Sequence, residues 1–153
     1  MVKFIIQGII FLLFFYYYYL IGANINPNIT IAVLPLLLLL MAGLGLGFGI
    51  LISSLTTKYR DFQFLVVFGV QLFMYATPVV YPLSLAKEKL GSYSWIAFAN
   101  PMSSIVEAMK YAFLGQGQFS WYLLLYSFIF MIILLATGVI IFNKVEQNFM
   151  DTV

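Results

Sequence analysis

Trp121-Tyr-Leu-Leu-Leu-Tyr-Ser-Phe-Ile-Phe-Met-Ile-Ile-Leu-Leu-Ala-Thr-Gly-Val-Ile-Ile-Phe142 runs for twenty-two residues without a single charge. As a helix it reaches about 33 Å, enough to cross the hydrocarbon of a bilayer. Working outward, three more apolar runs precede it. Phe4–Ile21 is broken only by Gln7 and Gly8 and ends in the turn-forming residues Gly22 to Asn28. Ile29–Leu55 is longer than a bilayer needs, and Pro35 near its start predicts a bend or an interfacial first turn. Phe62–Val80 is the third, with Pro78 near its outer end and Pro82 as its stop. The spans are therefore expected at about 4–21, 29–55, 62–80 and 121–142, in one domain covering residues 1–153. The fold class is all-α: a polytopic membrane protein of about four transmembrane helices. The tail Asn143–Val153 places Val145, Phe149 and Val153 at helical spacing and predicts a short amphipathic carboxy-terminal helix on the membrane face.

Composition agrees. Of 153 residues, 64% are hydrophobic and 8% charged, against nearly half apolar and about a quarter charged in an ordinary soluble domain. Such a chain cannot cover its surface with polar groups, so lipid must be its solvent. The net charge of +2 comes without a basic run, which argues against nucleic acid as a partner. Cysteine and histidine are both absent, which removes disulfides, thiolate nucleophiles, the common zinc sites and a Ser-His-Asp triad. No phosphate-cradling G-x-x-x-x-G-K-[ST] occurs, so any nucleotide energy must come from another chain. The five acids, Asp61, Glu88, Glu107, Glu146 and Asp151, are scattered, whereas a membrane-embedded transferase needs clustered acids for a metal or for general acid–base work. No cofactor is expected, and the chain is not expected to be an enzyme.

Between the third and fourth spans the pattern changes. Asn100-Pro101 reads as a helix start, with Asn at the N-cap and Pro in the first helical position. Gly115 and Gly117 read as its stop. The fourteen residues between reach only about 21 Å, too short to cross. Glu107 and Lys110 lie three apart, on one helical face. The expectation is a re-entrant or gate segment at about 83–116 that enters the membrane from one side and returns. Broken backbone of that kind is tolerated only where protein or a water-filled cavity shields it. Glu107 is an ordinary acid if the segment lies in water, and a functional or partnered one if it lies in the membrane.

Gly43, Gly45, Gly47 and Gly49 form two overlapping G-x-x-x-G pairs in the second span. Small residues four apart let another helix approach closely, either within this chain or at a dimer seam or hinge. Lys58, Arg60 and Asp61 form the polar loop between the second and third spans, either as a positive-inside anchor or with a role in substrate entry or coupling. Lys3, Lys58, Arg60 and Lys144 near span ends on one side, against Lys87, Lys89 and Lys110 on the other, favour cytoplasmic termini. Aromatics make up 19% of the chain. Tyr16–Tyr19 sweep most of a helix circumference and suit an interfacial belt, while Tyr75, Tyr81 and Tyr111 are the candidates for a channel lining.

The stretch Tyr59-Arg-Asp-Phe-Gln-Phe-Leu-Val-Val-Phe-Gly-Val-Gln-Leu-Phe-Met-Tyr-Ala-Thr-Pro-Val-Val-Tyr-Pro82 resembles permeases of type-2 ATP-binding-cassette exporters, above all the branch exporting O-antigen, capsule and teichoic-acid polysaccharides. The resemblance extends to Asn100-Pro101 and to a closing Phe142, Glu146, Phe149 and Asp151. It implies a homodimeric channel attached to ATPase subunits, carrying lipid-linked glycan across a bacterial inner membrane, with Pro78, Pro82, Asn100, Pro101 and Glu107 at an external gate or hinge. Family members typically have six spans, and this chain aligns from near the third, as a carboxy-terminal portion would. An exporter of drugs or other small lipophiles, and a structural or assembly subunit without transport, are the alternatives.

Overall fold

A computed structural model of the chain describes residues 2–22, 27–59, 61–77, 79, 95–115 and 117–150. The described residues form α1 (Val2–Leu20), a 3-10 turn (Ile29–Val33) leading into α2 (Leu34–Lys58), α3 (Phe62–Ala76), α4 (Trp95–Ala99), α5 (Pro101–Leu114) and α6 (Trp121–Met150), with no strand among them. Two helical stretches, Ile29–Thr57 and Trp121–Gln147, are long and apolar enough to cross a membrane, and Ile5–Leu20 and Phe62–Ala76 are shorter apolar helices.

The organising contact is α2 against α6. A Cβ on Gly43 would collide with the Met131 thioether, and one on Gly47 would come within 3.0 Å of Leu134. Gly138 on α6 returns the approach: a Cβ there would lie 3.3 Å from the Gly47 carbonyl oxygen and 3.4 Å from Ile50. Residues 43, 47 and 50 thus face 131, 134 and 138 in ascending order, so α2 and α6 run parallel. Two of the four glycines of α2 make this seam. Gly45 and Gly49 point away from it, with nothing within 4 Å.

Leu37, Leu40 and Leu44 from α2 and Leu124, Met131 and Leu134 from α6 form the core, joined by Ile105 and Ala108 of α5. Between lipid-embedded helices the gain comes from close packing, since acyl chains are as apolar as leucine. The same reasoning accounts for α1 and α3, which leave Leu13, Phe14, Phe64 and Leu65 exposed by 60% or more. In water so large an apolar surface would demand a partner; in lipid it costs nothing.

Two boundaries differ from the sequence expectation. The third helix ends at Ala76, not near Val80: Thr77 is extended (φ −88°, ψ 131°) because the ring of the following proline disfavours the α region for its predecessor. The tail does not form a separate short helix. It continues α6 to Met150, because nothing from Val139 onward, neither Gly nor Pro, interrupts the helix. Pro35 falls in the first turn of α2, where its missing N–H is harmless, and the bend it predicts takes the form of the preceding 3-10 turn.

Candidate functional site

The candidate site centres on α5, which is held by both of its ends. Asn100 is its N-cap: the side-chain oxygen accepts from the Met102 backbone N–H at 3.0 Å while Pro101 occupies the first turn. The Asn100 amide also donates to Thr77 Oγ1 at 2.9 Å, tying the start of α5 to the end of α3. From α6, Ser127 Oγ donates to the Pro101 carbonyl at 2.7 Å and Tyr126 donates to the Ala99 carbonyl at 2.8 Å. Ser104 and Ser127 hydroxyls lie 2.6 Å apart. Asn100, Thr77 and Ser127 are buried, so these bonds form where water competes little and an unmade one is costly.

At the other end Gly115 adopts the left-handed conformation (φ 68°) and its N–H closes on the Tyr111 carbonyl at 3.1 Å. The Ala112 carbonyl accepts from the Asn28 N–H at 3.1 Å, which fastens the end of α5 to the entry of α2. Phe113 meets Phe11 and Phe15 of α1 edge to face, with ring centroids 5.1 and 5.5 Å away. The anchors come from the starts of α2 and α6 and the end of α3, so α5 sits at one end of the bundle.

One face of α5 buries Pro101, Ile105, Ala108 and Ala112, spaced four, three and four apart. Beside it Ser103 and Glu107, four apart, are also buried. The expected pair forms: Lys110 Nζ lies 3.5 Å from Glu107 Oε1. Gly117, at φ 119°, comes close enough that a Cβ would be 3.0 Å from Glu107 Oε2.

The other candidates are dispersed. Tyr111 is half-buried, its ring 5.9 Å from Phe119 at the α5–α6 junction. Tyr75 is 75% exposed on α3, apart from Tyr111. Tyr16–Tyr19 are each at least half exposed around α1. Asp61 is exposed at the N-cap position of α3 and makes no side-chain capping bond. Lys58 ends α2. Arg60, Pro78, Tyr81, Pro82, Lys87 and Lys89 lie outside the described residues, as does most of the expected gate segment before Trp95. Sequence reading passed over Thr77, Ser104, Tyr126 and Ser127. Their one signal was a hydroxyl in or beside an otherwise apolar run, which is also how an unremarkable membrane helix reads.

An all-helical arrangement of the described residues, with apolar sides outward and two bilayer-length helices, is the architecture of a helical membrane protein. The family profile described as "ABC-2 type transporter" matches residues 1–114, and the chain belongs to that family. It is similar to two proteins of Klebsiella pneumoniae, each called "O-antigen export system permease protein RfbA". One is 30% identical over 102 residues and the other 32% identical over 103. Each alignment takes in 67% of this chain, and the chain spans 38% of the length of each relative.

Proposed function

We propose that this chain forms part of the membrane conduit of an ATP-driven exporter that moves lipid-linked polysaccharide from the cytoplasmic to the outer side of a bacterial inner membrane. ATP hydrolysis belongs to a separate ATPase subunit, since the sequence carries no phosphate-binding loop of its own. The substrate class is taken from the O-antigen export permeases to which the chain is similar. The permease works as a homodimer in this reading.

The observation that carries the transport reading is the relation of α5 to its neighbours. Parallel neighbours α2 and α6 enter from the same side of the membrane. An odd number of crossings therefore lies between them; in this reading the apolar stretch around α3 supplies the one crossing, and α5, which carries Glu107 and Lys110, stays at the face that stretch reaches. A fourteen-residue helix held at the entry ends of α2 and α6 suits that placement. Its bonds to Thr77 and to Ser127 let movement of α3 or α6 reach it directly. The balance of Lys3, Lys58, Arg60 and Lys144 against Lys87, Lys89 and Lys110 supports assigning the other face, with both termini, to the cytoplasm. Tyr75, Tyr81 and Tyr111 are the lining candidates, and Pro78, Pro82, Asn100, Pro101 and Glu107 the gate.

Replacing Pro78 and Pro82 with alanine in a full-length permease carrying this segment tests the gate. Surface polysaccharide is expected to change while membrane insertion stays normal; unchanged export removes those prolines from the mechanism. Deletion of the permease should abolish surface glycan, whereas resistance to lipophilic drugs lost in its place would favour the small-lipophile alternative. Co-purification with an ATPase whose turnover the chain alters separates transport from a purely structural role.

A further inference from the structure

We infer that the cleft between the carboxy-terminal ends of α2 and α6 receives a lysine or arginine side chain of the ATPase subunit. The inference rests on the transport reading above, which puts this end of the helix pair in the cytoplasm. The cleft measures about 260 Å³ and is lined by Ser54 and Thr57 of α2 and by Phe142, Val145 and Glu146 of α6. That is below the roughly 300–1,000 Å³ of a small-molecule pocket and suits a single long side chain. At 30 residues α6 is about 45 Å long, against about 30 Å of hydrocarbon. With Trp121 at one interface, the turns from Phe142 onward stand clear of the acyl chains, within reach of a soluble subunit.

The polar side of the cleft offers acceptors. Ser54 Oγ donates its proton to the Ile50 carbonyl at 2.8 Å, and Thr57 Oγ1 donates to the Ser53 carbonyl at 2.8 Å. Each hydroxyl has lone pairs left, and no proton. Thr57 also lies in the last turn of α2, whose carbonyl ends form the negative pole of the helix. Glu146 is exposed, and its carboxylate has no partner among the described residues. Lys144, the cation on α6, is two residues away and therefore on the opposite side of that helix. Such a set calls for a cation with several N–H donors. Phe142 and Val145 supply an apolar wall for the methylene stem that a lysine or arginine carries. A phospholipid amine suits the cleft less well, because its phosphate would meet Glu146 and the negative end of α2.

Photo-cross-linking tests the contact in the purified complex of a full-length permease carrying this segment with its ATPase. Thr57 replaced by benzoylphenylalanine should give a light-dependent adduct with the ATPase, mapped to a peptide that carries a lysine or arginine. Glu146→Lys should lower the ATPase retained by the permease about tenfold, since like charges then face each other, whereas Glu146→Asp should retain it. Unchanged retention in Glu146→Lys overturns the assignment. So do adducts confined to lipid or to the permease itself, as when Lys58 fills the cleft; the ATPase then still co-purifies and the transport reading stands. An ATPase that never co-purifies overturns both.

Discussion

At the residue scale Asn100 carries the most. One carboxamide caps α5 through its oxygen and grips Thr77 through its nitrogen. The capping half of this was legible: Asn before Pro, with glycines fifteen and seventeen positions later, has few other readings. The gripping half was not, because Thr77 is twenty-three residues away and nothing local announces their meeting. Ser127 was hidden for a different reason. A lone serine in a membrane span commonly bonds back to its own helix, as this one also does to Leu123 at 3.1 Å, so its second bond to Pro101 has no separate signature. Asn100→Ala should destabilise the fold by about 1–3 kcal/mol through the lost cap and the lost bond to Thr77, whose hydroxyl keeps its own bond to the Phe73 carbonyl. Asn100→Ser keeps a neutral capping oxygen and loses the amide donor to Thr77, so its thermal unfolding in nanodiscs should fall between those of the wild type and Asn100→Ala. Equal loss in both variants would assign the whole effect to the Thr77 bond.

At the element scale the glycines of α2 divide by face. Sequence showed four small residues and two overlapping pairs, without saying which pair meets a neighbour. The answer depends on the rotation of α2 about its axis, which packing against α6 sets. Gly43 and Gly47 face that helix, while Gly45 and Gly49 face outward. Gly47→Val should therefore cost about 1–3 kcal/mol by forcing Leu134 aside. Gly45→Ala should be neutral, or stabilising by up to about 1 kcal/mol, since it adds helix propensity into open space. Paired thermal melts check the contrast, and equal responses would mean that α2 is rotated from this arrangement. Helix ends followed the same division. The stop of α5 at Gly115 was plain from composition, whereas α3 ends where Pro78 acts on its predecessor, a few residues before apolar character fades.

At the scale of the whole molecule, each of the four apolar runs contains a helix among the described residues, and two of these helices reach the length that bilayer thickness imposes. The direction in which distant helices run together is another matter. That α2 and α6 are parallel neighbours follows from which residues meet across the seam, and no local pattern encodes it. Yet this relation constrains how many times the chain between them can cross. Helical crossings alternate in direction, so parallel neighbours require an odd number of crossings between them, and the proposed path assigns the one crossing to the stretch around α3.

Cysteine labelling tests that path most directly, and the chain supplies a clean background because it has no cysteine of its own. Single variants Lys58→Cys, Val79→Cys and Gln118→Cys would be treated in intact cells with a membrane-impermeant maleimide, before and after permeabilisation. Positions 79 and 118 should label from outside, and position 58 only after permeabilisation. Labelling of 79 from outside and 118 only after permeabilisation would contradict the parallel arrangement of α2 and α6 in the membrane, and labelling of 118 but not 79 from outside would show that the segment between them, not α3, makes the crossing.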